Sequence, residues 1–238
     1  MDRKVAYFIG CVANYNDPGI AKAALKVLRH NGFSVFIPDQ MCCGLPHLVS
    51  GNLKSARSLA RCNMRHFLRA NCDVVTACTS CALALKFEYR RLLGTEESDL
   101  LAQRTYDISE YLMQLHDLGH MKTDFHALKF SGLYHAPCHL KLQGQDLIER
   151  RLRLMQLIPG LRVEQADRGC CGMAGAFGLK SVNYTVSMEI GRSLFQTIKD
   201  KKPDGVITDC PSCKLQIAHG SGFEVSHPVE LWERAYSL

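Results

Sequence analysis

Apolar positions along the chain follow two alternating rhythms. Val5-Ala6-Tyr7-Phe8-Ile9 and Phe33-Ser34-Val35-Phe36-Ile37 are short runs rich in β-branched and aromatic residues, the pattern of buried strands. Between them Ala21, Ala24, Leu25 and Leu28 recur at helical spacing, with Pro18-Gly19 marking the start of the helix and Asn31-Gly32 its end. Asn52 predicts a cap for a further helix whose Leu53, Ala56, Ala60, Met64 and Phe67 lie along one face. The second half repeats the rhythm, with strands over Leu161–Gln165 and Gly205–Thr208 and a helix from about Tyr184 to Lys199. Such alternation predicts an α/β fold with small, mostly parallel sheets flanked by helices.

The cysteines show that this rhythm is a duplication. Tyr7-Phe8-Ile9-Gly10-Cys11 is answered by Leu133-Tyr134-His135-Ala136-Pro137-Cys138, each an apolar stretch ending in Cys. Cys42-Cys43-Gly44 is answered by Cys170-Cys171-Gly172, and Cys78-Thr79-Ser80-Cys81 by Cys210-Pro211-Ser212-Cys213. The tails correspond too, Tyr106-Asp107-Ile108-Ser109-Glu110-Tyr111-Leu112 with Glu224-Val225-Ser226-His227-Pro228-Val229-Glu230-Leu231. Two similar units are expected, 1–120 and 130–238. Each cysteine motif follows a predicted strand, and ligand sites of open α/β sheets gather beyond the carboxyl ends of strands. Cysteines distant in sequence are therefore expected to converge.

Twelve cysteines in 238 residues would read as disulfides in a secreted protein, but no export signal is visible, so metal ligation takes precedence. A strand-end Cys followed three residues later by one in the first helical turn aims two sulfurs at one site. Zinc sites and redox dithiols share that spacing. Adjacent cysteines face one site only where the chain turns, and Gly44 and Gly172 permit such a turn. Five thiolates per unit exceed the four of tetrahedral zinc, so the candidate ligands Cys11, Cys42, Cys43, Cys78 and Cys81, then Cys138, Cys170, Cys171, Cys210 and Cys213, favour iron-sulfur clusters. Zinc in one or both sites, in a zinc-stabilised interaction protein, is the alternative. The formal charge of +6 counts every cysteine as neutral, and bound thiolates would cancel much of it.

On these motifs the chain resembles the cysteine-rich CCG domain family, found in a subunit of heterodisulfide reductase, in the iron-sulfur subunits of lactate and glycolate oxidases, and in an iron-sulfur subunit of anaerobic glycerol-3-phosphate dehydrogenase. With the last it shares the wording of Gly10-Cys11-Val12-Ala13-Asn14-Tyr15-Asn16, Cys42-Cys43-Gly44-Leu45-Pro46, Tyr134-His135-Ala136-Pro137-Cys138-His139 and Asp209-Cys210-Pro211-Ser212-Cys213. The resemblance spans nearly the whole chain but lacks the ferredoxin-like region of the dehydrogenase protein. It implies two 4Fe-4S clusters on the ten cysteines, of the non-cubane type in the heterodisulfide reductase. It also implies electron relay between a flavin-containing or ferredoxin-like partner and a quinone or other carrier. The alternative is cleavage of a disulfide substrate at one cluster.

The remaining residues refine this picture. His47, His139 and His135 lie near the motifs, where each is either a surface or structural residue or a hydrogen-bond donor to the site. Cys62 and Cys72 have no counterparts in the second half and read as small buried residues. Arg57, Arg61, Arg65 and Arg69 form a like-charge row on the predicted helix, either a wet face or a dock for an acidic partner, and Arg150, Arg151 and Arg153 form a second basic run. Without an aromatic stacking platform these runs do not point to nucleic acid. No glycine-rich dinucleotide fingerprint follows the first strand, so electrons are expected from a separate polypeptide. No apolar run is long enough to span a membrane, which predicts a cytoplasmic protein that meets the membrane only through a partner.

Overall fold

Two four-stranded sheets, all of whose pairings are parallel, organise the computed structural model, which describes residues 3–166 and 169–238. The first contains β1 (Arg3–Phe8), β2 (Phe33–Phe36), β3 (Asp73–Thr76) and β4 (Thr105–Asp107) in the order β2-β1-β3-β4. The second contains β5 (Phe130–Tyr134), β6 (Leu161–Gln165), β7 (Gly205–Ile207) and β8 (Val225–Ser226) in the order β6-β5-β7-β8. The chain divides into two compact units between Lys122 and Thr123, each with one sheet.

Helices fill the connections. In the first unit they are α1 (Cys11–Tyr15), α2 (Pro18–His30), α3 (Leu45–Val49), α4 (Leu53–Arg69), α5 (Thr79–Leu83), α6 (Tyr89–Leu93), α7 (Glu96–Gln103) and α8 (Ile108–Asp117). The second unit has α9 (Cys138–Lys141), α10 (Gln145–Met155), α11 (Tyr184–Lys201), α12 (Pro211–Ser221) and α13 (Pro228–Ala235). The predicted α/β class and the predicted boundaries of α2 and α11 hold to within two residues, and the sheets are wholly parallel.

Local chemistry explains the element ends. Asn52 caps α4 by accepting from the Ser55 amide at 3.1 Å, as its position implied. Val5, Ala6, Tyr7 and Phe8 are all buried, a continuous run as expected of a strand covered on both faces. Edge strand β2 instead alternates between buried and exposed positions.

The strand orders reverse direction at β1/β3 and at β5/β7. These switch points, at the carboxyl ends of the strands, are the positions at which open α/β sheets bind ligands. Cys11 and Cys78 follow β1 and β3, and Cys138 and Cys210 follow β5 and β7. The Cys-Cys pairs sit further on, Cys42 six residues past β2 and Cys170 five past β6.

Candidate metal centres

In the first unit the turn after β1 puts Gly10 at φ 78°, and Cys11 opens α1. A side chain at residue 10 would bring its Cβ within 3.1 Å of Cys81 Sγ, so this glycine lets the loop close over the sulfurs. Cys42 and Cys43 lie on the loop before α3, turned by Gly44 at φ 84°. Cys78 ends the β3 segment in extended geometry and caps α5, which carries Cys81 one turn on.

The thiols form an unbroken chain of contacts, Cys11 to Cys42, Cys42 to Cys43, Cys43 to Cys81 and Cys81 to Cys78. Hydrogen bonds from Cys11 and Cys43 hold the Cys42 thiol well below its ordinary range. Hydrogen bonds from Cys81 and from the α5 amides also lower the Cys78 thiol. Cys11, Cys43 and Cys81 are pushed up, because each donates to a neighbouring sulfur in a crowded, desolvated group.

The loop of the first site is held from behind. Asn63, fully buried on α4, accepts from the Met41 amide at 2.8 Å, donates to the Cys42 carbonyl at 3.0 Å and donates to the Tyr89 hydroxyl at 2.9 Å. A π-helical segment, Ala84–Glu88, separates α5 from α6 just beyond Cys81 and brings Tyr89 to that amide.

The second unit gathers its five cysteines in the same way. Cys171 and Cys213 sulfurs are 3.2 Å apart, and the Gly172 amide donates to Cys170 Sγ at 3.4 Å. Cys171 is held low by hydrogen bonds from Cys170 and Cys213, with a further one from His135. Cys170 and Cys213 are pushed up by donating to it. Cys138 is pushed up by desolvation and by Cys210 and Cys171. Ser187 of α11 donates to the Gly172 carbonyl at 2.8 Å and accepts from Gln216 at 2.9 Å. Cys138 and Cys170 are exposed, whereas Cys11 and Cys42 of the first unit are half-buried.

Several sequence expectations change. Cys62 and Cys72 are half-buried rather than buried, and neither contacts the sulfur chain of the first site. Arg151 does not belong to a surface basic run. It is 2% exposed, with its guanidinium 3.5 Å from Asp209, whose other carboxylate oxygen accepts from the Tyr134 hydroxyl. Arg57, Arg61, Arg65 and Arg69 do form an exposed row on α4. His47 lies close enough to Cys42 to favour its thiolate, and His139 sits on α9 beside Cys138.

His135 reaches furthest into a site. A ring nitrogen of His135 and the sulfurs of Cys171 and Cys213 lie within 4.8 Å of one another. The signal for it was the strand register. Tyr7 pairs with Val75 and Tyr134 with Ile207, three residues before Cys78 and Cys210, so His135 occupies the place of Phe8. The same alignment sets Asp209 against Ala77.

The profile of the cysteine-rich CCG domain matches residues 5–86 and 133–218. A subunit of anaerobic glycerol-3-phosphate dehydrogenase from Escherichia coli is 34% identical over 98% of this chain and 59% of its own length. A subunit of fumarate reductase (CoM/CoB) from Methanothermobacter marburgensis is 35% identical over 98% of this chain and 47% of its own length. The chain thus spans only about half of these two relatives. Lactate utilization protein A from Geobacillus thermodenitrificans is 30% identical and matches over 99% of this chain and 98% of its own length. A hypothetical protein from Helicobacter pylori shares the fold at a TM-score of 0.60 and 9% identity, over all of this chain and 50% of that one.

Proposed function

The chain belongs to the cysteine-rich CCG domain family, and from that premise we propose that it is the iron-sulfur electron-transfer subunit of a multi-subunit oxidoreductase, each unit holding a 4Fe-4S cluster on its five cysteines. The single observation that carries this reading is the convergence of a complete Cys, Cys-Cys-Gly, Cys-x-x-Cys set at the carboxyl ends of the strands, twice over. The relatives whose names place them as subunits of redox enzymes support it.

The donor set fits such a group. Each site packs sulfurs so closely that one thiolate pushes up its neighbours, as Cys42 does to Cys11 and Cys43, and Cys171 does to Cys170 and Cys213. A full set of thiolates is favourable only around a strongly positive centre, and several irons accommodate a fifth sulfur that tetrahedral zinc does not need. Cys11, Cys42, Cys43, Cys78 and Cys81 would hold one cluster, and Cys138, Cys170, Cys171, Cys210 and Cys213 the other. A bound cluster supplies one-electron transfer. The protein's own residues exclude water, with Cys43, Cys78, Cys81, Cys171, Cys210 and Cys213 all buried, and the α5 and α12 amino ends face the thiolates.

Electrons would arrive from a flavin-containing or ferredoxin-like partner and leave to a quinone or other carrier. Among the described residues no helix is long and apolar enough to cross a membrane. Anaerobic purification with iron, acid-labile sulfide and zinc analysis tests the reading. About four irons and four sulfides per unit are expected. Stoichiometric zinc with no sulfide would sink it in favour of a zinc-stabilised interaction protein.

One observation favours a second reading, disulfide cleavage at the second site. There Cys138 and Cys170 are exposed, leaving an open approach for a substrate sulfur. A disulfide that perturbs one paramagnetic signal and is reduced during turnover would establish it. Unchanged spectra alongside quinone reduction by the complex would leave the relay.

A further inference from the structure

Building on the cluster reading above, we propose that His135 is a nitrogen ligand of the second cluster, giving that unit a mixed imidazole and thiolate set which the first unit lacks. The ring directly follows β5, and its backbone amide donates to the Ile207 carbonyl at 2.8 Å, so the sheet ladder fixes where the side chain leaves the backbone. It is 2% exposed. A ring nitrogen lies with the Cys171 and Cys213 sulfurs inside 4.8 Å, the spacing of donors around one metal-sized centre.

The His135 ring hydrogen-bonds to the Cys171 sulfur, while its Nδ1 atom finds no hydrogen-bond partner among the described residues. A buried ring nitrogen left without a partner costs roughly 1–3 kcal/mol, and buried polar groups without partners are rare enough to need a reason. A coordinated iron supplies one. The ring also sits with the buried thiols Cys171 and Cys213, away from solvent, which suits a ligand better than a water-linked surface histidine.

The first unit shows the contrast. Its equivalent residue, Phe8, is fully buried against Phe67 at a ring separation of 5.4 Å and has no donor atom. A neutral imidazole donor added to the five thiolates would give the second cluster an electronic environment that the first lacks, so the potential of that cluster alone depends on residue 135.

The test uses the full chain, loaded anaerobically and prepared with natural and with 15N-labelled histidine. Electron-nuclear double resonance is expected to show one strongly coupled nitrogen from a single cluster, altered by the label and lost in His135→Phe. Potentiometric titration of the same variant should shift one midpoint potential and leave the other in place. Iron and sulfide present with no strong histidine coupling in the wild type would overturn the inference and leave the cluster reading standing. No iron or sulfide after reconstitution would overturn both. Because labelling interrogates the wild-type chain, poor folding of the variant cannot rescue the idea.

Discussion

The two units put ten cysteines in equivalent places on equivalent sheets, yet the layer behind those cysteines differs almost residue by residue. In the first unit the strand residues behind the site are Phe8 and Ala77, and α2 turns only Ile20, Ala21, Ala23, Ala24, Val27 and Leu28 inward. In the second, His135 and Asp209 stand at the strand positions, and α10 buries Arg151 against that aspartate. Polar support for the Cys-Cys-Gly loop comes from Asn63 in one unit. In the other it comes from Ser187, while Leu194 packs beside Gly169. Cysteine placement is set by strand ends and turns, which tolerate a change of supporting chemistry provided buried partners change together.

That last condition can be broken most severely at Asp209. Asp209→Ala copies the first unit's Ala77 but removes the carboxylate beside a buried guanidinium, and the loss of stability is expected to reach about 3–5 kcal/mol. Adding Arg151→Met should recover most of it. The chain's one tryptophan, Trp232, is fully buried in the second unit, so its fluorescence during denaturant unfolding follows that unit alone. If the double variant were no more stable than the single, the idea of a compensated exchange would fail.

The glycines sharpen the comparison at the next level. Both Gly44 and Gly172 have positive φ, near 84° and 88°, so alanine strains either by roughly 1–2 kcal/mol. At residue 172 the new Cβ would also collide with the Ser187 carbonyl, whereas at residue 44 it meets the Ala56 carbonyl oxygen at an ordinary 3.4 Å. Gly172→Ala should therefore cost about twice as much or more, measured by amide exchange of the two loops. Equal costs would mean that α11 gives way freely.

Asn63→Ala removes the clamp on Met41 and Cys42 and is expected to cost about 2–3 kcal/mol, with faster amide exchange over residues 40–44. Ser187→Ala gives up one bond to the loop and one from buried Gln216, and is expected to cost about 1–2 kcal/mol.

The smallest effect is a pH slope belonging to the second unit. His227 caps α13 by accepting from the Val229 amide at 3.1 Å, and burial holds its pKa below the ordinary histidine range. Its folded pKa lies below its unfolded one, so its stabilisation is complete above the unfolded pKa of about 6.5 and declines as pH falls below that. The slope is at most about 1.4 kcal/mol per pH unit. His227→Asn keeps a capping acceptor and should flatten it. The first unit has Asp107 at the same cap, accepting from Glu110 at 2.9 Å.

How much of this was legible beforehand follows from which interactions are local. Helix α4 was readable because Asn52 and the spacing of Ala56, Ala60, Met64 and Phe67 are facts of one segment. The convergence of the cysteines followed from repetition and from the general geometry of parallel sheets. His135 was indistinguishable from His47 and His139 as a letter near a motif, because which histidine points into a site depends on the pairing of β5 with β7. Arg151 read as one member of a basic run, since nothing within α10 announces an aspartate 58 residues later in the chain.

The order of residues thus suffices for the duplicated α/β plan, the caps, and the ten thiols at strand ends and turns, all of which depend on neighbours a few residues away. Folding was needed to give one site an imidazole among its sulfurs above a buried ion pair, and to rest the other on aromatic and amide groups. The reason is physical: a side chain's burial and direction come from strand register and helix packing between distant segments, and those distances exist only once the chain has folded.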